Sequence, residues 1–176
     1  MLSGHFQGRL LAILSKMQSP NFVLEIGTYT GYSALALAEG LTEKGNLLTI
    51  DVNEELAPIV NSNILKSEYS DQINYVVGDA MEVIDQIDEQ IDLIFIDADK
   101  RNYLNYYKKL IDKVSPGGLI IADNVLWSGK VVGWHNNSDD RDTVAIRSFN
   151  DYVHNDDRVE NVLLPVRDGL MLLRKK

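Results

Sequence analysis

The chain has 176 residues, the size of one domain, and its 17 Lys and Arg stand against 26 Asp and Glu for a net charge of −9. That balance argues against nucleic acid as a partner, because phosphate binding needs a locally dense positive surface. Hydrophobic residues are 45% and charged residues 24%, which excludes wholesale disorder. With no Cys there are no disulfides, no thiolate metal site and no Cys nucleophile. No basic segment followed by an apolar core opens the sequence. Its longest apolar runs are about six residues, against the roughly 20 needed to cross a bilayer. The expectation is one cytoplasmic domain over 1–176 with no membrane partner.

Elements follow in a regular order. Residues 8–17 place Leu10, Leu11, Ile13, Leu14 and Met17 at helical spacing, so a covering helix is predicted there. Short apolar runs at 22–26, 47–51, 73–77, 93–97 and 119–123 read as strands buried on both faces, because they are continuous rather than alternating. Between them, 32–39, 54–67, 80–87 and 103–114 read as helices. Strand, helix, strand repeated this way predicts a parallel sheet with right-handed crossovers. Residues 125–138, with two Gly, two Trp and two Asn, read as a loop, and 142–154 as a helix. Arg167-Asp168-Gly169 between two apolar runs is a hairpin signal, so the sheet should end in an antiparallel pair. The basic end, Arg174-Lys175-Lys176, reads as a frayed, solvated terminus.

In an open parallel sheet, ligands bind beyond the carboxyl ends of the strands. The five parallel strands deliver Glu25, Asp51, Asp79, Asp97 and Asp123 to that edge. Asp79 and Asn124 also suit turns or helix caps. The first turn is G-x-x-x-G, from Gly27 to Gly31, and lacks the G-x-G-x-x-G of a dinucleotide fingerprint. Glu25, two residues ahead, would repel a phosphate and suits a cationic ligand. That favours S-adenosylmethionine, with its sulfonium and ammonium, over a nicotinamide dinucleotide. Asp51 has the place expected of a carboxylate on ribose hydroxyls. Asp97, Asp123 and Asn124 form an all-oxygen set suited to a hard cation, with hydrogen bonds to loop amides as the competing role. Lys100, three residues after Asp97, is by position a surface lysine. Beside a divalent cation, like charge favours its neutral amine, which can accept a proton. His5, His135 and His154 show no metal spacing. Trp127 and Trp134 fall in the loop after the cation motif and read as loop packing or substrate lining. Tyr103, Tyr106 and Tyr107 fall at helical spacing and read as core or interface.

These motifs in combination resemble the cation-dependent O-methyltransferases, among them the caffeoyl-CoA and catechol O-methyltransferases and bacterial relatives. The resemblance rests on Glu25-Ile-Gly-Thr-Tyr-Thr-Gly-Tyr-Ser33, Gly78-Asp-Ala80, Ile96-Asp-Ala-Asp-Lys-Arg-Asn-Tyr103, Pro116-Gly-Gly118 and Ala122-Asp-Asn-Val-Leu-Trp127, and runs to Asp168-Gly-Leu170. It implies an α/β fold: a Rossmann-like, doubly wound seven-stranded sheet, mostly parallel with an antiparallel last strand. It implies S-adenosylmethionine on Glu25, Gly27, Ser33, Asp51, Ala80 and Asp97, with Thr28, Tyr29, Val52, Gly78 and Asp79 in the same motifs. It implies a divalent cation on Asp97, Asp123 and Asn124, with Mg²⁺ first and Ca²⁺ or Mn²⁺ in the same class. Lys100 would be the general base on a hydroxyl of a small aromatic acceptor, and a homodimer the assembly. Members usually carry further N-terminal helices; here the resemblance begins at Gly4–Leu10. Two rivals share the architecture: a metal-independent methyltransferase, disfavoured by Asp123-Asn124, and a nucleotide-binding protein, disfavoured by Glu25 and the first turn.

Overall fold

The structure, a computed structural model, describes residues 4–132 and 140–176. Trp134 and His135 lie outside the described residues. In chain order the elements are α1 (Gly4–Gln18), β1 (Phe22–Ile26), α2 (Tyr32–Ala38), β2 (Asn46–Asp51), α3 (Ala57–Leu65), β3 (Ile73–Val77) and α4 (Ala80–Asp85). They continue with β4 (Ile91–Ile96), α5 (Tyr103–Leu110), β5 (Val114–Asp123), α6 (Arg141–His154), β6 (Val159–Leu164) and β7 (Leu170–Lys175). Short 3-10 turns at Glu54–Leu56, Lys100–Asn102 and Trp127–Gly129 precede or follow these elements.

One seven-stranded sheet runs in the order β3-β2-β1-β4-β5-β7-β6. Strands β1 to β5 pair in parallel, and β7 inserts antiparallel between β5 and β6. The hairpin signal is therefore realised with Arg167 at φ 52° and Gly169 at φ 84° in its turn. Strand order reverses between β1 and β4, and a crevice opens at their carboxyl ends.

Apolar side chains from successive strand positions feed two cores. Leu24, Ile26, Ile94, Ile96 and Ile120 face α5 and α6, while Val23, Leu47, Leu93, Phe95 and Ile121 face α1, α2 and α3. This explains the continuous apolar runs, since each strand is covered on both sides. Tyr103 and Tyr107 stack edge-on against Phe149 in the first core, at 5.6 and 6.3 Å between ring centroids.

Three expectations change in detail. Helix α1 turns a different face inward from the one the large apolar residues suggest: Gln7, Gly8, Leu11, Ala12 and Ser15 are buried, while Ile13 and Met17 are 52% and 79% exposed. The reason is close approach to α2. A β-carbon on Gly8 would meet the Tyr32 ring at 2.6 Å, and the Ser15 hydroxyl donates to the Leu37 carbonyl at 2.6 Å. Strand β5 begins at Val114 and runs through Pro116-Gly117-Gly118, with an irregular register against β4 between Ile91 and Leu93. The chain end is not frayed: Arg174 and Lys175 belong to β7, and Lys175 Nζ donates to the Ile111 carbonyl at 2.8 Å.

Candidate active site

The turn after β1 sets the geometry. Gly27 has φ 101°, and its N–H donates to the Ile50 carbonyl at 2.9 Å. Gly31, at φ 83°, starts α2. Between them Tyr29 is left-handed at φ 50°, and its N–H donates to Asp51 Oδ2 at 2.8 Å. Asp51 Oδ1 accepts the Asn53 N–H at 3.0 Å. The carboxylate at the end of β2 is thus fixed by two backbone donors while it lines the cleft.

That cleft has a volume of about 400 Å³. Of the predicted cofactor residues, Gly27, Asp51, Val52, Gly78, Asp79, Ala80 and Asp97 line it. Asp79 also caps α4, accepting the Met81 N–H at 2.8 Å, so its capping role is realised at the cleft wall. Sequence reasoning missed Ala98, Asp99, Asn102 and Tyr106 in the same wall. Tyr106 donates its hydroxyl to Asp99 Oδ1 at 2.6 Å. Its spacing with Tyr103 and Tyr107 suggested core or interface, and the short path from Asp99 through the 3-10 turn into α5 is what returns it to the cleft.

Glu25, Thr28, Tyr29 and Ser33 stand outside that lining. Glu25 is fully buried among the sheet residues, and its Oε2 accepts the Thr49 hydroxyl at 2.5 Å. The Thr49 oxygen lies 2.5 Å from that of Thr28. Glu25 Oε1 has no protein partner. Burial pushes the Glu25 carboxyl up to about 8, against the opposing pull of the Ser33 and Thr49 hydroxyls. Glu25 thus sits beneath the first turn, bonded through one oxygen to Thr49.

The second constellation forms around Lys100. Its ammonium lies 3.1 Å from Asp97 Oδ1, 3.0 Å from Asn124 Oδ1 and 2.5 Å from Tyr103 Oη, so its three donors meet three acceptors. Only 9% exposed, it is not the solvated surface lysine its position suggested. Tyr103 donates toward the Asp123 and Ile96 carbonyls, at 3.0 and 3.2 Å. Burial, with the charges of Asp97 and Asp123, pushes the Tyr103 hydroxyl well above its usual value, so it stays protonated. The Trp127 ring lies 5.9 Å from both Lys100 Nζ and Lys130 Nζ. His5 and His154 are exposed.

Asp123 is 3% exposed. Its Oδ1 accepts the N–H of Asn124, itself left-handed at φ 60°, at 2.7 Å. Burial, followed by the negative charge of Asp97, raises the Asp123 carboxyl above its ordinary value. Among the described residues no three His, Cys, Asp or Glu side chains gather as a metal cluster. The set is two carboxylates and one amide oxygen. Asp97 and Asn124 already point oxygens at one positive atom, and that donor chemistry fits a hard divalent cation. Among the described residues, no helix is long and apolar enough to cross a membrane.

A family model described as O-methyltransferase matches residues 1–176. The chain is 39% identical over 181 residues to caffeoyl-CoA O-methyltransferase 1 of Eucalyptus globulus, covering 96% of this chain and 72% of the relative. Among solved structures it resembles the O-methyltransferase of Bacillus cereus in complex with SAH, at TM-score 0.91 and 34% identity, covering 98% and 82% of the two chains. It also resembles the O-methyltransferase TomG of Streptomyces achromogenes in complex with SAM, at TM-score 0.91 and 25% identity, covering 98% and 80%. The cleft at the switch point and these relatives lead to one conclusion: the chain belongs to the O-methyltransferase family and is an S-adenosylmethionine-dependent O-methyltransferase.

Proposed function

We propose that the protein methylates one hydroxyl of a small catechol-like or phenolic acceptor, with a divalent cation held by Asp97, Asp123 and Asn124. The observation that carries this reading is the convergence at Lys100, whose Nζ meets Asp97 Oδ1 at 3.1 Å and Asn124 Oδ1 at 3.0 Å while Asp97 also lines the cleft. One carboxylate thus borders both the cofactor cleft and the cation oxygens. That arrangement brings the methyl donor and the acceptor hydroxyl to a common edge.

Each residue then has a role. Asp51, oriented by Tyr29 and Asn53, accepts from ribose hydroxyls. Asp97 receives the ammonium end of the donor. Ala80 and Asp79 border its adenine. Lys100 takes the proton of the acceptor hydroxyl as general base. A bound divalent cation, Mg²⁺ first, would hold two neighbouring acceptor oxygens and favour the ionised form of one. The remaining contribution is orientation and exclusion of water.

A methylation screen tests the reading. Catechols, phenolic acids and their CoA esters would be offered with Mg²⁺, without it, and with EDTA. Caffeoyl-CoA, which names the plant relatives, joins the panel. Diols should be methylated, lose the reaction in EDTA and recover it with Mg²⁺. Methylation indifferent to EDTA overturns the cation; a panel without a methylated hydroxyl overturns the acceptor class.

A further inference from the structure

Asp123 is held on both sides. Its Oδ1 takes the backbone N–H of Asn124, and its Oδ2 takes Nε2 of Gln7 at 2.5 Å. Gln7 lies 116 residues away, on α1, and is fully buried. The other end of the amide is also occupied, since Arg167 Nη1 donates to Gln7 Oε1 at 3.1 Å. A guanidinium can only donate. The Gln7 oxygen must therefore face Arg167 and its NH₂ must face Asp123. The Tyr32 ring against Gly8 seats α1 on α2 and fixes the height of Gln7. Three distant segments, α1, the end of β5 and the β6–β7 turn, meet in one directed chain.

A buried carboxylate has lost the hydrogen bonds of water and keeps its orientation only through donors that replace them. Gln7 is the side-chain donor that the structure gives Asp123. From this geometry we infer that Gln7 is a positioning residue for the cation site, fixing the Asp123 carboxylate through the chain Arg167–Gln7–Asp123. The inference rests on the cation reading proposed above. It also assigns a function to an inward-facing polar residue in a helix whose large apolar residues are partly exposed.

The test uses Mn²⁺ as the probe, titrated by calorimetry into the full chain saturated with S-adenosylhomocysteine. Partners that orient a metal ligand are worth roughly 10- to 100-fold in metal affinity. Gln7→Met, which keeps the bulk and removes the donor, should weaken Mn²⁺ binding by that factor and leave S-adenosylhomocysteine affinity within about twofold. Gln7→Asn keeps an amide but is one methylene too short, and should behave alike; it carries the test if the Met variant does not fold. Arg167→Met should weaken Mn²⁺ less, because the amide can still turn toward Asp123. Native Mn²⁺ affinity in a folded Gln7 variant overturns the inference. So does an equal loss of S-adenosylhomocysteine binding, which would mark a general loosening. Failure of the cation reading itself looks different: the wild-type protein would then take up no Mn²⁺.

Discussion

A β-carbon on Gly27 would stand 2.0 Å from the carbonyl oxygen of Asp97. The first turn and the end of β4 therefore touch through backbone alone, at the point where strand order reverses. With φ at 101°, Gly27 also has a conformation that side chains resist. Gly27→Ala should cost about 2 kcal/mol or more from strain and forced displacement. It should also weaken S-adenosylhomocysteine binding, because Asp97 must move. Gly31→Ala is the control: its φ is 83°, but the nearest atom is 3.7 Å away, so strain is its main cost. Urea melts and calorimetry on both variants check the difference. Equal effects would mean that the Asp97 contact is unimportant.

Asp51 is aimed by two backbone donors, the N–H groups of Tyr29 and Asn53. A carboxylate fixed in this way binds ribose hydroxyls without having to reorganise. Charge-assisted hydrogen bonds contribute about 1.5–3 kcal/mol each. Asp51→Ala should accordingly weaken S-adenosylhomocysteine roughly 10- to 100-fold, by calorimetry. Mn²⁺ affinity should hold, since β1 and β4 stand between β2, which ends at Asp51, and β5, which leads to Asn124. A variant that binds the cofactor product as the wild type does removes Asp51 from the site.

The acids at the strand ends were legible because parallel sheets send the carboxyl ends of their strands to one edge, and an Asp inside an apolar run has few other uses. Lys100 was legible only by its spacing from Asp97. Its burial depends on Tyr103 and Asn124, which arrive from α5 and from beyond β5. Gln7 could not be read at all: its partner is 116 residues away, and its helix presents a more prominent apolar stripe. The stripe misleads because Gly8, Ala12 and Ser15 permit closer packing than Ile13 and Met17 would. Glu25, two residues before Gly27, is legible as an acid beneath the first turn; its bond to Thr49 in the next strand depends on the register that pairs the two.

Burial raises the Glu25 carboxyl from 4.5 to about 8 in the folded chain. Between those values the native state keeps a proton that the unfolded chain releases. The contribution of this group to stability therefore declines as pH rises through the window and levels off above about 8. Glu25→Gln keeps an acceptor for Thr49 and has no proton to lose. Its melting temperature should consequently rise relative to wild type as the ligand-free proteins are taken from pH 5 to pH 8.5. Parallel profiles for the two proteins would show that Glu25 does not titrate in this range.

Lys100 and Tyr103 separate a proton acceptor from the group that aims it. Lys100→Ala removes the amine that would take the hydroxyl proton, and general-base catalysis is typically worth about 10²- to 10⁴-fold. The loss should fall on kcat, with S-adenosylhomocysteine affinity near native, because Lys100 lies outside the cleft lining. Tyr103→Phe leaves the amine in place but removes one of its three acceptors. It should lower kcat by less, because the Asp97 and Asn124 oxygens still aim the amine. Single-turnover rates measured on an accepted diol for all three proteins distinguish the roles. A native rate in Lys100→Ala would remove the base, and a native rate in Tyr103→Phe would leave Tyr103 as core packing alone.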